Sequence, residues 1–164
     1  MSIRRFGTVA LIITALAFVL APMAPLGSRV WPAPFELNPP PTPLQANLFM
    51  LLTLMESIAL GLAIAFLILG GQAVRNLVGA RRGLATAMHL SAFWVLGNWW
   101  LHDSLHMIYS LTPTGLLSIE YAFHATLMTA GSILVFGLVS LGMQRGGADR
   151  EPVLQKAAAA HATH

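Results

Sequence analysis

Apolar residues dominate four long stretches of the chain, and shorter polar or proline-rich segments separate them. A membrane-crossing helix needs about 20 such residues, and each stretch meets this length. We therefore predict four transmembrane helices, at about residues 6–24, 44–70, 84–111 and 116–143. Short connections between consecutive helices favour antiparallel neighbours. The predicted fold is an all-α integral membrane protein, a four-helix antiparallel bundle.

The segments outside these helices have a different composition. Residues 25–43 form the predicted outer loop, and eight of the ten prolines lie between Pro22 and Pro43. Proline favours extended backbone and lacks an N–H donor, so a stiff connector is expected there. Residues 144–164 combine glycines, charged residues and alanines, and we predict a disordered tail.

Positive charge lies almost entirely on one side of the predicted membrane. Arginine or lysine occurs before the first helix, between the second and third helices, and in the tail, whereas Arg29 alone belongs to the outer loop. The positive-inside rule then predicts that both termini are cytoplasmic. A competing interpretation treats residues 1–24 as a cleaved signal peptide, although Pro22 and Pro25 suit a cleavage site poorly.

Composition agrees with a membrane location. The 164 residues are 56% hydrophobic and only 9% charged, whereas soluble domains carry about 25% charged residues. We expect a multi-pass protein of a cell membrane, with the lipid bilayer as its main partner. The chain contains no cysteine, which excludes disulfides and thiolate metal ligands. No basic stretch is interleaved with stacking aromatic residues, so nucleic acid is not an expected partner.

Six ionisable residues interrupt the apolar stretches. A charged side chain at the bilayer centre costs about 2.5–3.5 kcal/mol on insertion scales, so such residues usually face a partner, a metal or water. Counted along the predicted helices, all six fall in the outer half of the membrane. They are Glu56, His102, Asp103, His106, Glu120 and His124.

Their spacing indicates a metal site. His102 and His106 are four residues apart on one face of the third helix, as are Glu120 and His124 on the fourth, and a tight turn joins the two helices. Imidazole and carboxylate ligands suit zinc, iron or copper, between which the pattern does not choose. Asp103 is also a candidate partner that orients a ligating histidine. Glu56 is either a ligand or a hydrogen-bonding residue between helices.

Two other chemistries fit the same residues. His106 and His124 could serve as axial ligands of a b-type haem. Alternatively, the cluster is a structural hydrogen-bond network or a proton relay. We therefore predict either a small metalloenzyme or a metal-bearing subunit of a membrane enzyme, and leave open which. The competing class is a non-catalytic accessory subunit of a larger complex. Other membrane subunits or self-association are expected in both cases.

Overall fold

The computed structural model describes residues 2–32, 40–109 and 112–161. Within these ranges the chain forms five α-helices and one short 3-10 turn, and no strand. The helices are α1 (Ile3–Leu20), α2 (Pro43–Leu69), α3 (Gly71–Val78), α4 (Arg82–Tyr109) and α5 (Pro113–His161), and the turn is Gly27–Arg29. The all-α prediction is confirmed.

Three helices are long and apolar enough to cross a membrane: α1, α2 and the Pro113–Gln144 part of α5. Helix α4 has 28 residues, a length of about 42 Å, which exceeds the hydrocarbon thickness. It is not among the three. Polar residues lower its hydropathy along its whole length, since His89 and Asn98 lie in the part before the cluster residues. Three apolar helices support a membrane protein, and the fourth crossing stays a prediction.

The helices pack side by side in the order α1, α2, α4, α5. Helix α3 lies against α4. Among the described residues, α1 and α5 at the two ends of this row make no comparable contact. The closed four-helix bundle predicted from the sequence therefore stays a prediction, while the neighbours α2, α4 and α5 supply all six candidate site residues.

Helix α1 ends at Leu20, four residues before the predicted boundary. Ala21 adopts an extended conformation because it precedes Pro22, and proline disfavours helical backbone in the residue before it. The indole N–H groups of Trp31 and Trp100 donate to the carbonyls of Leu20 (2.8 Å) and Ala17 (3.2 Å). These carbonyls belong to the last turn, where helices have unsatisfied acceptors. Two tryptophans thus fix the end of α1.

Close packing of α1 against α2 depends on Gly61. A Cβ atom at this position would overlap the Thr14 hydroxyl and the Ala10 carbonyl oxygen of α1. Ala63 and Ala65, which follow on the same helix, are fully buried. Small residues of this kind let two helix backbones approach closely within a membrane.

Helix α3 lies within the segment 71–83, which the sequence analysis treated as a plain connection. Val74 and Val78 pack into a small core with Ala85 and Met88 of α4 and Leu141 of α5. Four residues separate the two valines, so they occupy one face of the helix. The segment is too short for a crossing, and its amphipathic pattern was therefore overlooked.

Helix α5 continues to His161, through the segment for which composition predicted a disordered tail. The segment contains several alanines, together with glutamine, glutamate and lysine, and all four residue types have high helix propensity. Residues 33–39 of the predicted outer loop, residues 110–111 at the predicted end of the third helix, and residues 162–164 of the predicted tail lie outside the described residues.

Candidate metal centre

The six polar residues predicted from the sequence come from three neighbouring helices. Glu56 belongs to α2, and Glu120 and His124 belong to α5. The other three belong to α4, which lies between α2 and α5. The middle helix therefore contributes most of the cluster, and each neighbour extends it on one side.

Antiparallel packing brings α4 and α5 into the register that the site needs. Trp94 stacks on Phe123 with ring centroids 5.8 Å apart, and its indole N–H donates to the Thr126 hydroxyl at 3.0 Å. At the turn, the Thr112 hydroxyl accepts from the backbone N–H of Gly115 at 3.1 Å. These contacts hold residues 102–106 of α4 opposite residues 120–124 of α5.

Helix α2 reaches the cluster because it packs closely on α4. A Cβ atom on Gly97 would lie 2.9 Å from the Cβ of Ala63, so the two helix backbones nearly touch there. Glu56 lies seven residues from Ala63, about 10 Å along α2. Asp103 lies six residues from Gly97 in the opposite chain direction, about 9 Å along α4. The two carboxyl groups therefore lie at about the same level of the packed helices.

A line of polar contacts runs through the cluster. His102 Nδ1 lies 2.8 Å from Asp103 Oδ1, and His102 Nε2 lies 3.1 Å from His106 Nε2. His106 Nε2 is also 3.2 Å from Glu120 Oε1. The second Glu120 oxygen, Oε2, lies 2.6 Å from His124 Nδ1. These distances connect five of the six residues, across α4 and α5.

The spacing of the nitrogen and oxygen atoms suits a metal ion. One ligand atom each from His102, Glu120 and His124 lies within 4.8 Å of the others. Ligand atoms about 2.0–2.2 Å from a tetrahedral metal lie roughly 3.3–3.6 Å from one another. The separations of His106 Nε2 from its two neighbours in the cluster, 3.1 and 3.2 Å, are close to this value.

Burial changes steadily across the cluster. The His102 side chain is 10% exposed, the His106 side chain 23% and the His124 side chain 50%. The α4 side is therefore enclosed, and the α5 side is open. An ion held here would have protein on one side and an accessible coordination position on the other, as catalytic metal sites do.

Aromatic rings restrict the orientation of His102, and the sequence analysis did not assign them to the site. The centroid of Phe123 lies 5.2 Å from that of His102, and the centroid of Trp99 lies 6.0 Å from it, both with edge-to-face geometry. Trp99 precedes His102 by three residues, so helical spacing alone indicates contact. Phe123 comes from α5, and its contact depends on how the two helices are rotated about their axes, which periodicity does not fix.

The position of Glu120 bears on the alternative of a haem between His106 and His124. Glu120 lies between His106 and His124, with one carboxylate oxygen directed to each imidazole. Haem iron with these two histidines as axial ligands would have to occupy that same position. The carboxylate therefore stands where the macrocycle would be, and it offers an oxygen ligand to a smaller ion.

Comparison with protein-family models, with curated proteins and with solved structures found no match to this chain. The functional interpretation therefore depends on the side chains of the cluster and their geometry.

Proposed function

We propose that this protein is an integral membrane protein that binds a transition-metal ion near its outer face. The ligands are His102, His106, Glu120 and His124, supplied by α4 and α5. The grouping of three ligand atoms within 4.8 Å carries the proposal. Imidazole nitrogen and carboxylate oxygen favour zinc, iron or copper, and the chain has no thiolate to offer.

The proposed topology has four crossings, with α4 as the additional one, and both termini in the cytoplasm. Arg4 and Arg5 at the start of α1, Arg75 in α3 and Arg82 at the start of α4 support this orientation. The metal ligands lie towards the other end of α4 and at the beginning of α5, so the site belongs to the outer half of the bilayer. A cell membrane is the expected location.

The metal would supply a Lewis acid or a redox centre, depending on its identity. The chain's own residues hold the ion and control access to it. Asp103 accepts a hydrogen bond from His102 Nδ1, which directs Nε2 towards the ion. The exposed side at His124 leaves room for water or a substrate. The role is that of a small metalloenzyme or of a metal-bearing subunit within a membrane enzyme.

Metal titration of purified protein tests this proposal. Co²⁺ bound to the wild-type protein should produce visible absorption bands of a site with nitrogen and oxygen ligands. His102→Ala should abolish these bands. His89→Ala is the matched control, because the His89 ring contacts Phe66 and its Nε2 lies 2.9 Å from the Phe66 carbonyl oxygen, in contact with the end of α2. Equal titrations of both variants would overturn the assignment.

A second candidate function is a proton relay in an accessory subunit of a membrane complex. The line of contacts from Asp103 to His124 favours it, since relays use such chains of carboxylates and histidines. This function requires no metal. Metal-free protein that supports the full activity of a co-purified complex, and loses it in Glu120→Gln, would favour the relay over the metal site.

A further inference from the structure

We propose that the groove between the beginning of α1 and the end of α2 binds the headgroup of an anionic phospholipid. The groove has a volume of about 340 Å³ and is lined by Arg4, Arg5, Thr8, Val9 and Leu69. It is separate from the proposed metal centre, because Leu69 lies 13 residues beyond Glu56 along α2, about 20 Å away. The lipid site therefore stands or falls independently of the metal.

The two arginines bring positive charge to the groove without an acidic partner. Among the described residues, every ion pair joins a histidine to a carboxylate, and no arginine takes part in one. Arg4 and Arg5 are exposed, whereas the Thr8 hydroxyl already donates to the Arg4 carbonyl oxygen at 3.0 Å. The guanidinium groups are thus placed to bind an anion, and their paired N–H donors match phosphate oxygens.

The remainder of the groove is apolar, which favours a lipid over a soluble anion. Val9 and Leu69 are partly buried and form its wall. Along α1, the positions Arg5, Val9, Ile12 and Leu16 follow the helical repeat and share one face. Ile12 is 53% exposed and Leu16 is 50% exposed. One face of the helix therefore offers a charged group at its end and a continuous apolar surface for an acyl chain.

The depth of the arginines agrees with the position of lipid phosphates. Helix α1 is apolar enough to cross a membrane and has 18 residues, a length of about 27 Å. This is slightly less than the hydrocarbon thickness of about 30 Å. Arg4 and Arg5, in its first turn, therefore lie near the boundary with the headgroups. Their long side chains can extend over apolar surface and keep the charge at the level of the phosphates.

The charge of the groove predicts which lipids bind. Phosphatidylcholine carries a quaternary ammonium beside its phosphate, and the arginines would repel this group. Phosphatidylglycerol carries the phosphate charge alone. Each arginine near an anionic lipid surface contributes about fivefold in affinity, so two arginines predict a preference of about 25-fold for phosphatidylglycerol.

Native mass spectrometry of the full chain in detergent micelles tests this inference. Titration should show one dioleoyl-phosphatidylglycerol bound about 25-fold more tightly than dioleoyl-phosphatidylcholine. Arg4→Gln/Arg5→Gln should lose this preference. Arg75→Gln/Arg82→Gln is the matched control: it removes the same charge, neither residue lines the groove, and the Arg75 guanidinium bonds to the Gln72 side chain at 2.9 Å. The control should keep the preference.

Leu69→Trp is the second variant, needed if loss of both arginines prevents insertion of α1. The indole fills the groove, leaves the charge unchanged, and suits the membrane interface. This variant should also lose the preference. Inorganic phosphate in large excess should not displace the lipid. Equal behaviour of the two double variants, full preference in folded Leu69→Trp, or displacement by inorganic phosphate would each overturn the inference.

Discussion

His102 is the residue on which the cluster converges. One ring nitrogen faces Asp103, the other faces His106, and two aromatic rings pack against its sides. It is also the most enclosed of the three clustered histidines, whereas His124 is half exposed. A buried imidazole with both nitrogens in polar contact cannot change partners without disturbing its surroundings. Its substitution should therefore affect the site more than substitution of His124.

Substitution of Asp103 tests whether its hydrogen bond with His102 contributes to metal binding. Asp103→Ala removes the acceptor of His102 Nδ1–H and should weaken Co²⁺ binding by about 10–100-fold, the usual effect of losing such a partner. Asp103→Asn keeps an acceptor oxygen and should bind closer to the wild-type affinity. Competition titration with a chelator gives both values. If Asp103→Ala binds as tightly as the wild type, Asp103 does not orient the ligand.

At the scale of helices, small residues determine which elements approach closely. Gly61 allows α1 to lie against α2, and Gly97 allows α2 to lie against α4. Only the contact between α2 and α4 determines the height of Glu56 relative to Asp103 along the helix axes. The first anchors α1, together with the indole of Trp100, which bonds to the Ala17 carbonyl. Helix α1 therefore packs as part of the fold.

Gly61→Ala should destabilise the protein by about 1–3 kcal/mol, since the new methyl group overlaps backbone and side-chain oxygens of α1. Gly7→Ala is the matched control, because a Cβ at Gly7 has no neighbour within 4 Å among the described residues. That variant should be as stable as the wild type. Thermal unfolding in one detergent compares the two. Similar losses in both would mean that close packing at Gly61 contributes little.

Part of this arrangement could be predicted from sequence because it is local. The spacing of His102 and His106, and of Glu120 and His124, follows from the helical repeat, and the tight turn makes their helices neighbours. Glu56 could not be placed in this way, because its position relative to Asp103 depends on the register between α2 and α4. The end of α1 was placed too late because the apolar run continues past Leu20, whereas Pro22 ends the helix there. Helix α3 was missed because only two of its valines, Val74 and Val78, pack into the core.

At the scale of the whole molecule, charge is distributed unequally between the two ends. Arginines mark the beginning of α1, helix α3 and the beginning of α4, whereas the histidines and carboxylates lie near the turn between α4 and α5. If α4 crosses the membrane, the arginines face the cytoplasm and the cluster lies near the outer surface. The orientation of the site therefore depends on whether α4 crosses the membrane.

Single-cysteine labelling tests this topology, and the natural chain has no cysteine to interfere. Thr114→Cys should react with a membrane-impermeant maleimide added to intact cells. Ser2→Cys and Ala80→Cys should react only after the membrane is opened. Reaction of Ala80→Cys and Thr114→Cys from the same side would mean that α4 does not cross.

The most direct test of the account is elemental analysis of the protein purified from its native membrane without added metal or chelator. We predict about one transition-metal ion per chain. The double variant His102→Ala/His124→Ala should retain its fold by circular dichroism and lose the metal. Wild-type protein that is folded, active within its membrane and free of transition metal would contradict the central claim.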